Sequence, residues 1–406
     1  MKPLRILIAC AQAPLPDGTA TGRWCYALIR GLVRRGHSVT ALVACRDRAE
    51  AEAANDLFSG WGLQLSCYPA PLRNPLASKI EALRRPFSYI FSKEMIARYR
   101  TESTRDYEVF HIDGTFGAYL IPPSPDSRTV LHVQNLYCVD WPEDYCGNGQ
   151  ERIRRLLAVR AERRLIRCCR SVIAVTPQLA RQVSLMNSGA SVHFVPLALD
   201  PDQYVFIPKE KRPSRPVVSL IGSMDWFPSR SAAERLLRRL WPEIKRQRPD
   251  ARLEITGRNA RQALSDFLNQ LDVEIQENVV STQPYFEQAT MLLYAPERGT
   301  GMKVKILEAF AMGVPVVTTP DGVEGLDTED GVHAGIEETD QGLIDRALKL
   351  IADPAGQEKQ RLAARRLLDT TYSPDPVLKR LEEVYDSFAP PGTLISDRRD
   401  TALSAP

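Results

Sequence analysis

The apolar positions of this chain fall into short β-branched runs that alternate with longer amphipathic stretches, and the alternation runs through two rounds. Residues 5–10 (RILIAC) read as a buried first strand, residues 24–35 as a helix closed by Gly36-His37, and residues 38–44 as a second strand. Strands are also expected at 109–113, 129–134, 171–176 and 192–196, with an arginine-rich helix at 150–170. Within that helix Glu162 reads as part of a solvated face, paired to an arginine one turn away. Residues 200–216 gather Pro201, Pro208, Pro213 and Pro216 with Lys209, Lys211 and Arg212, the composition of a linker. The pattern then restarts. Strands are expected at 217–222, 252–256, 273–275, 291–296 and 314–319, and helices at 232–247, 304–312, 339–353, 355–368 and 376–388. Strands separated by helical patterns make parallel sheets from βαβ units, here twice over. The expected class is α/β: two Rossmann-like, doubly wound domains facing a central cleft. The expected limits are 1–205 for the first domain, 206–216 for the linker and 217–374 for the second domain. A last helix at 375–388 and a polar, proline-containing tail at 389–406, expected to be disordered, complete the chain.

Composition narrows the classes. The chain has 406 residues, 44% hydrophobic and 25% charged, which suits a soluble globular protein of two domains. A net charge of +3 gives no global nucleic-acid signature. Eight cysteines without a C-x-x-C pair argue against a zinc site or a disulfide framework, and fit a reducing, cytoplasmic compartment. The apolar run at the amino end is too short for a signal peptide, and no run is long enough to span a bilayer. Residues 78–105 alternate aromatics (Phe87, Tyr89, Phe91, Tyr99) with bases such as Arg84, Lys93 and Arg98. That stretch suits an anionic acceptor or a peripheral contact with a membrane, or else an ordinary amphipathic helix with snorkelling arginines, which is the plainer reading.

The candidate chemistry centres on residues 291–319, MLLYAPERGTGMKVKILEAFAMGVPVVTT: a strand, a loop with Gly299 and Gly301, a helix stopped by Gly313, and another strand. Such a loop is expected to point backbone N–H groups and a helix N-terminus at an anion. Lys303 and Lys305 flank the helix start, an unfavourable place for cations unless a phosphate lies beside them. Glu308 sits among apolar residues and needs partners, which a ribose diol would supply. Solvated lysines and an exposed Glu308 are the bland alternative. In the first domain the loop carrying Gly18, Thr19, Thr21 and Gly22 lacks G-x-G-x-x-G spacing, so it reads as cleft lining rather than a dinucleotide site. His111, Asp113, His132 and Asn135 stand at strand ends, where polar groups are expected to face the cleft.

Three segments, LIGSMDWFPSRSA (220–232), LEITGR (253–258) and APERGTGMKVKILEAFAMGVPVVTTPDGVEGL (295–326), resemble glycosyltransferase family 4, retaining enzymes of GT-B fold. The opening GHSVTALVA and the VPLALD segment also fit, so the resemblance spans nearly the whole chain. It implies a nucleotide-diphosphate sugar held mostly by the second domain, with Glu308 on the ribose. The implied donor-binding residues are Gly222, Arg230, Gly257, Arg258, Gly299, Thr300, Gly301, Met302 and Glu308. Lys303 and Lys305 would carry the diphosphate charge, and Asp113 or His111 would stand where the family has an amino-domain histidine. The chain departs from the family in places. Thr300 occupies the position of the first glutamate of E-x7-E, and Glu297 is out of register. Arg230 is the only candidate for the usual Arg/Lys pair, and Leu197-Ala198 replaces Asn-Gly. No D-x-D motif is present where a metal would be expected, so neither metal nor cofactor is expected. The implied activity is front-face sugar transfer with retained configuration. The acceptor would be a bacterial surface glycan, a lipid-linked intermediate, a small molecule or a protein. A GT-B sugar-nucleotide epimerase and a silent nucleotide-binding homologue are the alternatives.

Overall fold

A computed structural model describes residues 2–70, 90–122, 125–146, 149–208 and 213–388. The chain forms two parallel sheets. The first comprises β1 (Arg5–Cys10), β2 (Ser38–Cys45), β3 (Gln64–Pro69), β4 (Val109–Asp113), β5 (Thr129–Val133), β6 (Ser171–Ala174) and β7 (Ser191–Phe194), in the order β3-β2-β1-β4-β5-β6-β7. The second comprises β8 (Val217–Ile221), β9 (Arg252–Gly257), β10 (Val273–Glu277), β11 (Met291–Tyr294), β12 (Val316–Thr318) and β13 (Gly335–Ile336), in the order β10-β9-β8-β11-β12-β13. Each order reverses once, between β1 and β4 and between β8 and β11. Ligands of doubly wound sheets bind outside the carboxyl ends of the strands at such a reversal. The central strands are buried on both faces, which is why they read as unbroken apolar runs rather than alternating ones.

Six helices position the site: α1 (Ala20–Arg34), α2 (Tyr137–Asp140), α3 (Gly149–Cys168), α4 (Phe227–Arg235), α5 (Val304–Met312) and α6 (Pro374–Asp386). Helix α1 starts four residues before its expected boundary, because Thr19 caps it by accepting the Gly22 N–H. The helix expected at 232–247 begins at Phe227 and passes through a π turn, Leu236–Leu240, before Trp241–Gln247. Pro242 has no N–H to donate into the previous turn, and the wider turn accommodates it. Helix α5 matches its expected limits and ends at Gly313 in the left-handed conformation, φ 70°. The edge strand β3 and the helices Arg48–Leu57 and Pro177–Met186 were not anticipated.

Helix α6 packs across α1 of the first domain. Arg35 Nε and Nη2 each donate to Glu382 at 2.7 Å, His37 Nε2 lies 2.9 Å from the same carboxylate, and the Tyr385 hydroxyl meets His111 Nδ1 at 2.7 Å. One sequence expectation fails in α3. Glu162 is wholly buried and accepts the Tyr137 and Cys138 N–H groups at 2.7 and 3.3 Å. It lies one turn from Ala158, Val159, Leu165 and Ile166, so it belongs to the buried stripe, not to the solvated face. Burial pushes its carboxyl up to about 7. The tail 389–406 and residues 71–89, which include the first half of the aromatic-basic stretch, lie outside the described residues. In the described half, Phe91, Met95 and Tyr99 face the core, and Arg98 pairs with buried Glu102 at 2.7 Å. No helix among the described residues is long and apolar enough to cross a membrane.

Candidate active site

The carboxyl ends of the two sheets enclose a cleft of about 1320 Å³. The second domain lines one side of it with two glycine turns, two helix starts and two lysines. Gly222 follows β8, and the turn after it delivers Trp226 and Ser229 at the start of α4. Gly257 ends β9 against that turn, where a Cβ would overlap the Gly222 carbonyl, and Arg258 follows it on the cleft wall. Helix α5 begins alongside, with Met302, Lys303, Val304 and Lys305 lining the cleft. Neither α4 nor α5 is capped by a side chain. In α4 Pro228 has no N–H and the Ser229 N–H donates to the Trp226 carbonyl at 3.1 Å, whereas in α5 the Val304 and Lys305 N–H groups precede the first bond of the turn, from the Ile306 N–H to the Lys303 carbonyl at 2.8 Å. The positive ends of both helices border one space.

The structure separates the two lysines. Lys305 Nζ donates to Ser229 Oγ at 2.8 Å and lies over the Tyr294 ring, 4.0 Å from its centroid. A Cβ on Gly222 would stand 2.7 Å from that ammonium, so only glycine leaves room. Lys305 makes no ion pair among the described residues. Burial, reinforced by neighbouring Lys303, lowers its pKa to about 7. Lys303 is turned into its own loop, where Nζ donates to the Gly301 carbonyl at 2.6 Å and, more weakly, to those of Thr300 and Gly299 at 3.3 and 3.4 Å. Burial lowers its pKa too, opposed by the charges of Asp140, Glu324 and Asp321. Lys305 is thus the lysine left without a carboxylate partner at the cleft, and Lys303 braces the loop.

The loop itself departs from expectation. The Thr300 N–H points at Asp140 Oδ1, 2.5 Å away, not into the cleft. Three carbonyls of the loop face Lys303 instead. Gly301 adopts φ 77° and presses against the Gln134 carbonyl of the first domain, and Gly299 packs on Pro228. Arg230 pairs with Glu234 one turn on at 3.0 Å and does not line the cleft.

Glu308 is buried at the cleft floor, as its apolar neighbours imply, but it already has a partner. Arg23 Nη1 of α1 lies 2.6 Å from Glu308 Oε1, with Tyr204 beside the pair. Burial raises the Glu308 pKa and Arg23 opposes that shift. The first-domain wall presents Gly18, Thr19 and Thr21, with Gln12 and Gln134. Thr21 donates to Gln134 Oε1 at 3.1 Å. Gly22 sits behind this wall, where a Cβ would stand 2.7 Å from the Ala13 carbonyl oxygen. Phe116, Tyr137 and Trp226 meet edge to face across the two domains, with centroids 5.8 and 6.0 Å apart.

His111 and Asp113 are not in the cleft. Both are buried in the core beneath α1 with His132. Asp113 accepts from Trp24 Nε1 at 2.9 Å, from Gln134 Nε2 at 2.9 and 3.0 Å, and from Cys25 Sγ at 3.4 Å. Two groups of side chains, Cys10–Cys25–Asp113 and His111–Asp113–His132, lie close enough to share a metal ion. Both depend on Asp113, whose oxygens these donors already occupy. Strand-end position held for Asn135, which lines the cleft, and failed for His111, Asp113 and His132, whose side chains are buried in the layer between sheet and helix. Sequence reasoning also missed Arg23, Ser229 and Asp140. The first two carry no local signal, since their partners are 285 and 76 residues away, and Asp140 meets Thr300 160 residues on.

Two parallel, doubly wound sheets with a glycine-walled cleft between them define the GT-B architecture, that of a glycosyltransferase, and comparisons with known proteins agree. Residues 19–198 match the family model described as "Glycosyl transferase 4-like domain", and residues 215–353 match "Glycosyl transferases group 1". The chain belongs to this glycosyltransferase family. No curated protein matches it in sequence. Solved structures show the same fold at low identity. Sucrose-phosphate synthase from Thermosynechococcus elongatus is 13% identical over 94% of this chain and 98% of its own, with TM-score 0.67. Anabaena HepE, solved with UDP and glucose, is 14% identical over 94% of this chain and 100% of its own, with TM-score 0.60. WaaG, a glycosyltransferase involved in lipopolysaccharide biosynthesis, is 13% identical over 95% of this chain and 100% of its own, with TM-score 0.60.

Proposed function

We propose that the protein moves a sugar from a nucleoside-diphosphate donor to a hydroxyl of an acceptor, with retained anomeric configuration, in bacterial surface glycan or glycoconjugate assembly. The observation that carries this reading is the convergence of Lys305, Ser229 and the N-terminus of α5 on one side of the cleft, beside buried Glu308. As the bond from the anomeric carbon to the β-phosphate breaks, negative charge gathers on the departing diphosphate. Lys305 and the first-turn N–H groups of α5 stand where that charge would develop, and they need no reorganisation to meet it. The acceptor oxygen attacks from the same face and passes its proton to the departing phosphate oxygen. Glu308 would hold the ribose, exchanging or sharing Arg23. On this reading no metal is required, because the leaving charge has protein partners; activity that survives EDTA treatment tests this.

The structures of HepE with UDP and glucose and of WaaG in lipopolysaccharide synthesis support this donor class and this kind of pathway. The first-domain wall of Gln12, Thr19, Thr21 and Gln134 suits a hydroxylated acceptor. A cytoplasmic location with peripheral membrane contact through residues 78–105 belongs to the same proposal, and liposome sedimentation tests the contact.

A thermal-shift panel of sugar nucleotides tests the function, since a ligand bound only by the folded state raises the melting temperature by mass action. The panel is followed by product analysis, with the anomeric coupling constant read by proton NMR. Donor-dependent stabilisation and an axial product from an axial donor are expected. Interconversion of donor sugars without acceptor would make the protein an epimerase. Binding without any product would make it a silent homologue, and an inverted product would refute retention.

A further inference from the structure

The loop that opens α5 is held from the opposite domain by a carboxylate that never reaches the cleft. Asp140 ends α2 and is wholly buried. Its Oδ1 accepts the Thr300 N–H at 2.5 Å, and its Oδ2 accepts the Thr300 hydroxyl at 2.7 Å. The same hydroxyl oxygen accepts the Leu136 N–H at 2.9 Å. Both capacities of the Thr300 hydroxyl are therefore used across the domain interface. One residue on, Gly301 lies flat against the Gln134 carbonyl, where any Cβ would overlap that oxygen. The segment 134–140 is itself anchored, because the buried Glu162 carboxylate takes the Tyr137 and Cys138 N–H groups.

We infer that Asp140 is a positioning residue for sugar transfer, acting through Thr300 to set the donor loop from the first domain. The inference rests on the transferase reading above. With the Thr300 N–H fixed on Asp140, the carbonyls of Gly299, Thr300 and Gly301 turn toward Lys303. That orientation sets where α5 begins and so where its free N–H groups and Lys305 stand in the cleft. The carboxylate accepts one hydrogen bond on each of its two oxygens, whereas the amide of the same shape has only one accepting oxygen; charge-assisted bonds of this kind are short and strong. A raised carboxyl pKa of about 6, caused by burial and opposed by the Thr300 donors, still leaves it ionised at neutral pH. Asp140 and Thr300 thus tie the loop that opens α5 to the first domain. A misplacement of the loop by about an ångström would slow the chemistry while leaving much of the binding energy intact.

The test uses Asp140→Ala, Asp140→Asn, Thr300→Val, Thr300→Ser and the double variant Asp140→Ala/Thr300→Val in the full chain. UDP is the binding probe, and UDP-glucose, or the donor the panel selects, is the substrate. Asp140→Ala and Thr300→Val are expected to lower kcat at least tenfold while UDP affinity changes less than threefold. An interaction made only in the transition state shows that split. Thr300→Ser, which keeps the hydroxyl, should stay within threefold of wild type. Asp140→Asn keeps the shape and the fold, and should fall between. The double variant should be no worse than either single, because residues acting through one contact are not additive. Unchanged kcat in folded Asp140→Asn and Asp140→Ala, or additive losses in the double variant, would overturn the inference. A wild-type protein that processes no sugar nucleotide would instead refute the transferase reading, so the two failures are distinguishable.

Discussion

Lys305 sets a measurable link between donor binding and protons. With its pKa lowered to about 7 by burial and by Lys303, about one empty site in ten carries the charge at pH 8. A bound diphosphate favours the ammonium and raises that pKa. Below pH 7 the proton is present in both states, so donor affinity is flat. Between pH 7 and the raised bound-state pKa, each binding event takes up a proton, and affinity falls about tenfold per pH unit. Above the bound-state pKa it falls no further. A charge-assisted hydrogen bond contributes about 1.5–3 kcal/mol, which corresponds to a pKa rise of about one to two units. Wild-type affinity for UDP-glucose should therefore drop roughly ten- to a hundredfold between pH 6.5 and pH 9. The diesterified diphosphate does not titrate in this range, so the slope belongs to the protein.

Lys305→Met removes the ammonium and keeps the stem packed on Tyr294. Its affinity at pH 6.5 should be about ten- to a hundredfold weaker than wild type, and nearly independent of pH above that. Titration calorimetry in buffers of different ionisation enthalpy reads both quantities. Wild type should take up about 0.4–0.8 proton per donor at pH 8 and about 0.2 at pH 6.5, and the variant should take up none. Wild-type binding without proton uptake at pH 8, or a variant that binds as tightly as wild type at pH 6.5, would refute the assignment of Lys305 to the diphosphate.

Three further substitutions separate the cleft from its supports. Arg23→Ala leaves the buried Glu308 carboxylate without its ion-pair partner and should cost about 3–5 kcal/mol in urea unfolding, with partial recovery in Arg23→Ala/Glu308→Gln. Gly301→Ala forces a side chain into a φ of 77° and against the Gln134 carbonyl, so a loss of at least about 1–3 kcal/mol is expected, with a lower melting temperature as the readout. Asp113→Asn disturbs a buried network beneath the cleft, so unfolding should become easier while kcat per folded molecule stays near wild type; a selective collapse of kcat would return Asp113 to the catalytic set.

The fold was legible because its signals are local. Strands β8 and β11 are runs of four or five apolar or small residues fully buried on both faces, and α5 carries its own stop at Gly313. The restart after the proline-rich linker separated two sheets without any knowledge of their strand order. Boundaries slipped where a cap or a proline decided them, at Thr19 for α1 and at Pro242 for the π turn, since those effects depend on one side chain rather than on periodicity. Glu162 was legible in principle: its place on the apolar stripe of α3, one turn from Ala158, Val159, Leu165 and Ile166, contradicts the solvated reading.

The site was legible on its second-domain half and in the Gly18–Thr21 wall of the first domain, but not in the contacts between them, and the reason is physical. Gly222, Gly257, Lys305 and Glu308 lie within or beside segments whose pattern already marks a strand end or a helix start, so proximity follows from the doubly wound order. Arg23, Asp140 and Gln134 act across the domain interface, where closeness depends on how one sheet docks on the other, and no periodicity reports that. The same distinction explains Thr300. Taken alone, a threonine where the resembling family has a glutamate reads as a lost carboxylate. In the folded chain a carboxylate is present on that loop after all, supplied by Asp140 from the other side, and threonine is a residue that fits beside it: its N–H and hydroxyl both donate to the incoming oxygens, whereas a glutamate there would set two negative charges together in a buried space.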